Sequence, residues 1–338
     1  MQRILYVDLL SPMGHRYFNM LNIKALSKKF DVVTAGRENA IESTKPDIAI
    51  PEDFFMVRNK VDFRIKELRK IDWLLRKQLL EDFDLIIFSS YETISFSLRS
   101  KDLQKKCQRA AIINHNNIDE LEKSAIKRKF FRKIDKGILQ CVFEEYFKVH
   151  LQNELNVENN VVVIPHIVLD RTHIAIENVK PLVFVPTKLY NTRYLENVFS
   201  ESVDEVSFVI KSDVSFSKKN VKSISYLERG QYEDIFSECS FVLLPITTDY
   251  NYRVSNILYE CFSFSRPCFV FKNKFSSFLG SMYPNVVHII DEETPFKTIW
   301  EIYTSINREA FEKDRENFLN KHSENRFLES IMEILNLK

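Results

Sequence analysis

SFVLLPITTDYNYRVSNILYECFSFSRPCFVF, residues 240–271, holds two apolar runs with a helical stretch between them. The run at 240–246 is short and rich in β-formers, so it predicts a buried strand. A polar, aromatic loop follows. Ser255 and Asn256 then suit the opening of a helix, and Glu260 falls about one turn inside it. The run at 266–272 predicts the next strand. Strand, helix, strand is a crossover connection, so the two strands run parallel. A parallel sheet is covered by helices on both faces, which makes this an α/β chain.

The same alternation extends both ways. Upstream in this half lie PLVFVPT (181–187), VSFVIKS (206–212) and VKSISYL (221–227), and NVVHIID (285–291) lies downstream. The first half carries RILYVDLL (3–10), FDVVTAG (30–36), DLIIFSS (84–90), AAIINH (110–115) and VVVIPH (161–166). Helical patterns separate many of them. The expected fold is two Rossmann-like doubly wound domains facing a central cleft, residues 1–170 and 171–338, joined through the polar stretch 170–180. The tail from Phe311 reads as helix throughout, and the last helix is a candidate to cross back to the first domain. Ligands in such sheets bind outside the carboxyl ends of the strands, so the loops there are the candidate sites.

Composition sets bounds on function. The 338 residues are 45% hydrophobic and 28% charged, an ordinary globular balance. A formal net charge of +1 leaves no electrostatic footprint for nucleic acid. Five cysteines without CxxC spacing suggest reduced thiols and a cytoplasmic protein. No apolar run reaches the roughly 20 residues of a membrane span. The opening MQRILYVDLLSPMGH reads as a first strand, its apolar run too short for a signal peptide.

In order and spacing, the chain resembles the GT-B glycosyltransferases, above all the large retaining group of bacterial cell-envelope enzymes. SFVLLPIT is similar to their strand ending in P-S/T. YECFSFSRPCFV is similar to their E-A-x-A-x-G-x-P-V, and ENNVVVIPHIVLD to the stretch before their second domain. The resemblance implies transfer of a sugar from a nucleoside-diphosphate sugar to a glycan or lipid-linked acceptor. The donor would bind the second domain and the acceptor the first, with the sugar's configuration retained and no resident cofactor.

Residue by residue, Ser255 and Asn256 open a helix whose free N–H groups suit a diphosphate. In the family the glutamate matching Glu260 accepts hydrogen bonds from ribose hydroxyls. A carboxylate expected eight residues upstream is replaced by Tyr252, so Asp249, Tyr250 or the backbone must serve the sugar. Arg253 can pair with phosphate. After the first strand of this domain, Lys188 and Arg193 are the cations available to a departing diphosphate. The competing reading of both is ordinary surface charge.

In the first domain Gly14 permits a tight turn and close backbone approach after the first strand; Gly14 and His15 are candidates to bind the nucleotide sugar, and the competing reading of His15 is that it caps the following helix. His115, at the end of a buried strand, hydrogen-bonds a sugar hydroxyl or is a satisfied core histidine. His166, near the junction, reads as structural. The DFD at 82–84 precedes a strand and lies at the wrong end of the sheet for a metal. No histidine or cysteine cluster has ligand spacing, so no essential metal is expected.

Two basic stretches with aromatics, 59–77 and 123–137, suit either an anionic membrane surface or a solvated helix face. The first would make the protein peripheral on the inner face of the plasma membrane. Two other readings of the whole chain remain: a nucleotide-sugar epimerase, and a catalytically silent GT-B subunit that stabilises a partner transferase.

Overall fold

The computed structural model describes residues 1–11, 15–42, 44–77, 80–171, 181–202, 205–246 and 250–337. The chain divides into two compact units, Met1–Ile167 with His322–Lys338, and Val168–Lys321.

In the first unit, strands β1 (Arg3–Asp8), β2 (Asp31–Gly36), β3 (Ile48–Ala49), β4 (Leu85–Ser90), β5 (Ala110–Ile113), β6 (Ile138–Val142) and β7 (Val161–Val163) form one sheet. Their order is β3-β2-β1-β4-β5-β6-β7, and every pairing is parallel. In the second unit, β8 (Leu182–Val185), β9 (Ser207–Lys211), β10 (Val221–Ile224), β11 (Phe241–Leu244), β12 (Cys268–Phe271) and β13 (Val287–Ile290) form the other. Their order is β10-β9-β8-β11-β12-β13, again all parallel. Both are doubly wound Rossmann orders, with the switch point between β1 and β4 and between β8 and β11.

The continuous apolar runs became strands because both faces are covered. β4, β5, β6, β11 and β12 are buried along their whole length. Phenylalanine, used 28 times, fills the layers between sheet and helices with tilted and edge-on ring pairs such as Phe199–Phe208 and Phe241–Phe269.

Several expectations need correction. β6 was not expected, because Gln140 interrupts its apolar run. That side chain is fully buried and accepts from Asn114 Nδ2 at 3.0 Å, while Tyr91 donates to Asn114 Oδ1 at 2.6 Å. A buried polar network here replaces an apolar contact, with Gln140 Nε2 left without a partner among the described residues. The two-residue β3 is too short to read from periodicity. Several strands also end earlier than their apolar runs: β1 stops at Asp8, β7 at Val163 and β10 at Ile224.

The tail is not helical throughout. It breaks between the helices Arg308–Lys321 and Glu324–Asn336. His322 sits fully buried in the break, its Nδ1 3.1 Å from the His166 carbonyl and its Nε2 3.2 Å from Glu144. Ser323 then caps the next helix by accepting from the Arg326 N–H. Of the junction 170–180, residues 172–180 lie outside the described residues.

After the helix Asn256–Ser263, Ser265 has φ of 55°, where a side chain is strained and glycine is free. The similar family stretch has glycine there. Here the hydroxyl of Ser265 instead donates to Glu312 at 2.9 Å. Next to it Arg266, 1% exposed, donates to the carbonyls of Phe236 and Ser237 at the end of the helix Arg229–Glu238. A cation there meets the negative end of the helix dipole.

Candidate functional site

At the switch point of the second unit, two loops leave the carboxyl ends of β8 and β11. They are tied together by Asn191 N–H donating to the Pro245 carbonyl at 2.9 Å. The Asn191 side chain also caps the helix Thr192–Glu201, accepting from Tyr194 N–H at 3.1 Å. That cap leaves Arg193 exposed in the first turn, and among the described residues it forms no hydrogen bond or ion pair. Lys188 differs from Arg193: its Nζ lies 2.6 and 2.7 Å from the two oxygens of Asp213, a partner the sequence did not point to.

The loop after β11 leads to the helix Asn256–Ser263. Residues 247–249, Asp249 among them, lie outside the described residues. Tyr250 anchors the loop, its carbonyl accepting from Phe275 N–H at 3.1 Å. The Arg253 guanidinium stacks 3.7 Å from the centre of the Tyr250 ring. Tyr252, 4% exposed, accepts at its hydroxyl from Lys274 Nζ at 2.9 Å. The position where a carboxylate was expected therefore carries a tyrosine facing a lysine.

Ser255 occupies the N-cap in extended geometry, and its side chain makes no capping bond. The first-turn amides of this helix lack that competitor, and they mark the positive end of its dipole. Asn256 is exposed at the first helical position. Glu260 is half-buried one turn on. Its Oε2 accepts from the Tyr232 hydroxyl at 2.5 Å. Burial pushes the Glu260 carboxyl above the usual carboxylate range, against the pull of that hydrogen bond and of Arg171 and Arg229. Burial, then the Glu260 charge, holds the Tyr232 phenol protonated and so a donor. Arg171 and Arg229 both bridge to Glu233 beside it.

In the first unit a second constellation forms at the carboxyl edge of the sheet. His15 (after β1), His115 (after β5) and His166 (after β7) gather around Phe18 and Phe143. The His15 and His115 rings are 4.2 Å apart, and Phe18 meets His115 edge-on at 4.8 Å. His166 packs 5.0 Å from Phe18 and 5.4 Å from Phe143. His15 occupies the N-cap of the helix Arg16–Leu26, but its side chain makes no capping bond. Burial lowers all three imidazoles, His115 well below its ordinary value and His166 to about 4. Burial therefore favours the neutral form of each ring. The buried His115 Nε2 has no hydrogen-bond partner among the described residues. Gly14 lies outside the described residues. Among the described residues no group of three or more His, Cys, Asp or Glu side chains is arranged to hold a metal.

The loop after β1 is held from below. Asp8 accepts from Ser11 N–H at 2.8 Å and from Asn19 Nδ2 at 2.6 Å. Lys70, from the helix Lys60–Arg76, donates to the Leu9 carbonyl and to Glu67 Oε1, both at 2.6 Å. Glu67 and Lys70 are each about 2% exposed, so part of the basic stretch 59–77 faces the core. Burial raises Glu67 to about 7 and lowers Lys70. Neither residue was singled out by the sequence. Charged residues in a basic helix read as solvent-facing unless the partner across the fold is known.

No protein-family model and no curated protein sequence matches the chain. Solved structures do match. Sucrose-phosphate synthase from Thermosynechococcus elongatus aligns over 99% of this chain and 98% of its own, with a TM-score of 0.72 at 9% identity. Anabaena HepE, solved in complex with UDP, aligns over 99% of both chains with a TM-score of 0.70 at 11% identity. A protein described as a UDP-N-acetylglucosamine 2-epimerase from Listeria monocytogenes aligns over 99% and 96% with a TM-score of 0.66 at 13% identity. The fold is GT-B, built of two Rossmann-like units. At these identities the likeness is one of fold.

Proposed function

We propose that this chain is a glycosyltransferase that moves a sugar from a nucleoside-diphosphate sugar to a glycan or lipid-linked acceptor in the synthesis of a surface polysaccharide or glycoconjugate. The observation that carries the reading is the mouth of the helix Asn256–Ser263. It joins N–H groups without a side-chain cap to a carboxylate one turn inside, at the carboxyl end of a Rossmann sheet. The unit Val168–Lys321 takes the donor. Ser255 and Asn256 present backbone N–H to the diphosphate, Glu260 takes the ribose, and Arg253 and Tyr250 flank the sugar end. Arg193 meets the charge of the departing diphosphate, with Lys188, oriented by Asp213, behind it. The unit Met1–Ile167 takes the acceptor, with His15 and His115 at the reacting end. Transfer retains configuration and uses no metal, as the family resemblance implies.

The test is nucleotide binding by calorimetry with UDP, ADP and GDP. One of them is expected to bind, and Glu260→Ala to weaken it about 10- to 100-fold, the worth of hydrogen bonds to a charged group. No binding of any of the three would remove the basis of the reading. A second reading, nucleotide-sugar epimerisation, is favoured by the likeness to the Listeria protein. It predicts turnover of nucleotide sugar to an isomer with no acceptor present.

The acceptor is lipid-linked if the first unit meets a membrane. In the stretch 123–137, Lys127 pairs with Glu120, Lys136 pairs with Glu158, and Arg128 and Arg132 bond backbone carbonyls, which leaves Lys123, Lys129 and Lys133 without a hydrogen bond or ion pair among the described residues. They lie beside Ile126, 63% exposed, and Leu98, 50% exposed. Ile126→Asp combined with Lys129→Ser and Lys133→Ser should cut binding to phosphatidylglycerol vesicles, measured by sedimentation, at least about 30-fold, at roughly 1 kcal/mol per surface cation. Undiminished binding would mark this as a solvated face. Among the described residues no helix is long and apolar enough to cross a membrane.

A further inference from the structure

The first unit carries a basic groove with an apolar lining, of about 710 Å³, between the helix Thr93–Lys106 and the segment 130–136. Cavities of that size take small organic ligands. Its two walls are tied together. Ser97 donates to the Phe130 carbonyl at 2.6 Å, and the Asp135 N–H donates to Ser100 Oγ at 3.0 Å. The apolar lining is Leu98, Phe130 and Ile134, and Leu98 is 50% exposed within its helix. Four cations, Lys101, Arg132, Lys133 and Lys136, line the groove against one carboxylate, Asp135. Arg132 is committed to the Leu155 carbonyl and Lys136 to Glu158. Lys101 and Lys133 form no hydrogen bond or ion pair among the described residues. Lys133 Nζ lies 5.8 Å from the centre of the Phe130 ring. Open lysines beside bare apolar surface suit a ligand that is anionic at one end and hydrocarbon at the other. The segment 130–136 leads into β6 at its amino end, so the groove lies away from the carboxyl edge where His15 and His115 gather.

We infer that this groove binds the headgroup of one anionic phospholipid, with the phosphate held by Lys101 and Lys133 and the first acyl carbons over Leu98 and Phe130. The lipid is an anchor, set apart from the reacting end, and not the acceptor. This sharpens the membrane reading of the first unit from a charged face into a discrete site. It needs no nucleotide, so it stands or falls apart from the nucleotide-binding test of the proposed function.

The test is calorimetry of the full chain with dihexanoyl phosphatidylglycerol, kept monomeric below its micelle concentration. Saturable binding of one lipid per chain is expected. Lys101→Ser combined with Lys133→Ser should weaken it about 30-fold, the worth of two surface cations. Leu98→Asp should weaken it about tenfold through lost apolar contact. Dihexanoyl phosphatidylcholine, whose choline cancels the phosphate charge, and glycerol phosphate, which has no acyl chain, should each bind the wild type at least about tenfold more weakly than the phosphatidylglycerol. All three substituted side chains are exposed, and an unchanged melting midpoint by circular dichroism checks that the variants fold. Glycerol phosphate binding as tightly as the lipid would make this a site for a soluble phosphate, and tighter binding of a polyglutamate peptide would make it a site for a protein. Either result overturns the inference. So does monomeric lipid that fails to bind, or that binds both variants undiminished, even where vesicles still bind. The wild-type series of lipid, glycerol phosphate and peptide decides the matter even if a variant does not fold.

Discussion

Lys70→Met is expected to destabilise the protein by about 3–5 kcal/mol at pH 8 and by only about 1–2 kcal/mol at pH 5. Removing the amine strips Glu67 of its one ionic partner in a site that is about 2% exposed. The pH dependence follows from the carboxyl. Its value in the folded protein is raised to about 7, above the ordinary carboxylate range, so the folded state binds the proton more tightly than the unfolded chain does. A group raised in this way contributes its full stability below the unfolded value. It loses that contribution as pH climbs toward 7. Without Lys70 the carboxyl rises further, and keeping it ionised at pH 8 becomes the dominant penalty. At pH 5 it is protonated and the loss is mainly that of the hydrogen bond to the Leu9 carbonyl. Urea unfolding followed by circular dichroism at both pH values measures the difference, and equal losses would contradict it.

His115→Ala should lower turnover roughly 100-fold while nucleotide affinity stays within about 3-fold, since the imidazole belongs to the unit proposed to hold the acceptor. An unchanged melting midpoint by circular dichroism reports that the variant is folded. Because burial holds His115 well below its ordinary value, its ring stays neutral through the physiological range. The wild-type rate should therefore show no acid limb near pH 6.5 from this residue. A rate unchanged in the variant would return His115 to the role of a core aromatic packed on Phe18 and Phe143.

The sheets were legible because both faces of each strand are covered and the apolar runs are unbroken. Where burial is polar the pattern fails. β6 hides behind Gln140, and the break in the tail hides behind His322, whose partners His166 and Glu144 are more than 150 residues away in sequence. The switch-point loops could be named from the order of strands along the chain, Ser255 and Asn256 from their N-cap types, and Glu260 from the family resemblance. What no local pattern carries is pairing. Asp213 against Lys188, Lys274 against Tyr252 and Tyr232 against Glu260 each join separate loops or helices, and each changes what the named residue can do. The membrane face was legible only in part, because four of its cations, Lys127, Arg128, Arg132 and Lys136, bond the protein itself.

The second unit is, in chain order, an insertion within the first. The helix Glu324–Asn336 buries Phe327, Leu328, Ile331 and Leu335 with residues 1–167, and Arg109 donates to the carbonyls of Leu335 and Leu337 at its end. A ribosome makes the seat of that helix early and the helix itself only after all of residues 168–321. Domains generally fold as they emerge. Here the unit that begins first must wait for its last helix until the unit that begins second is finished.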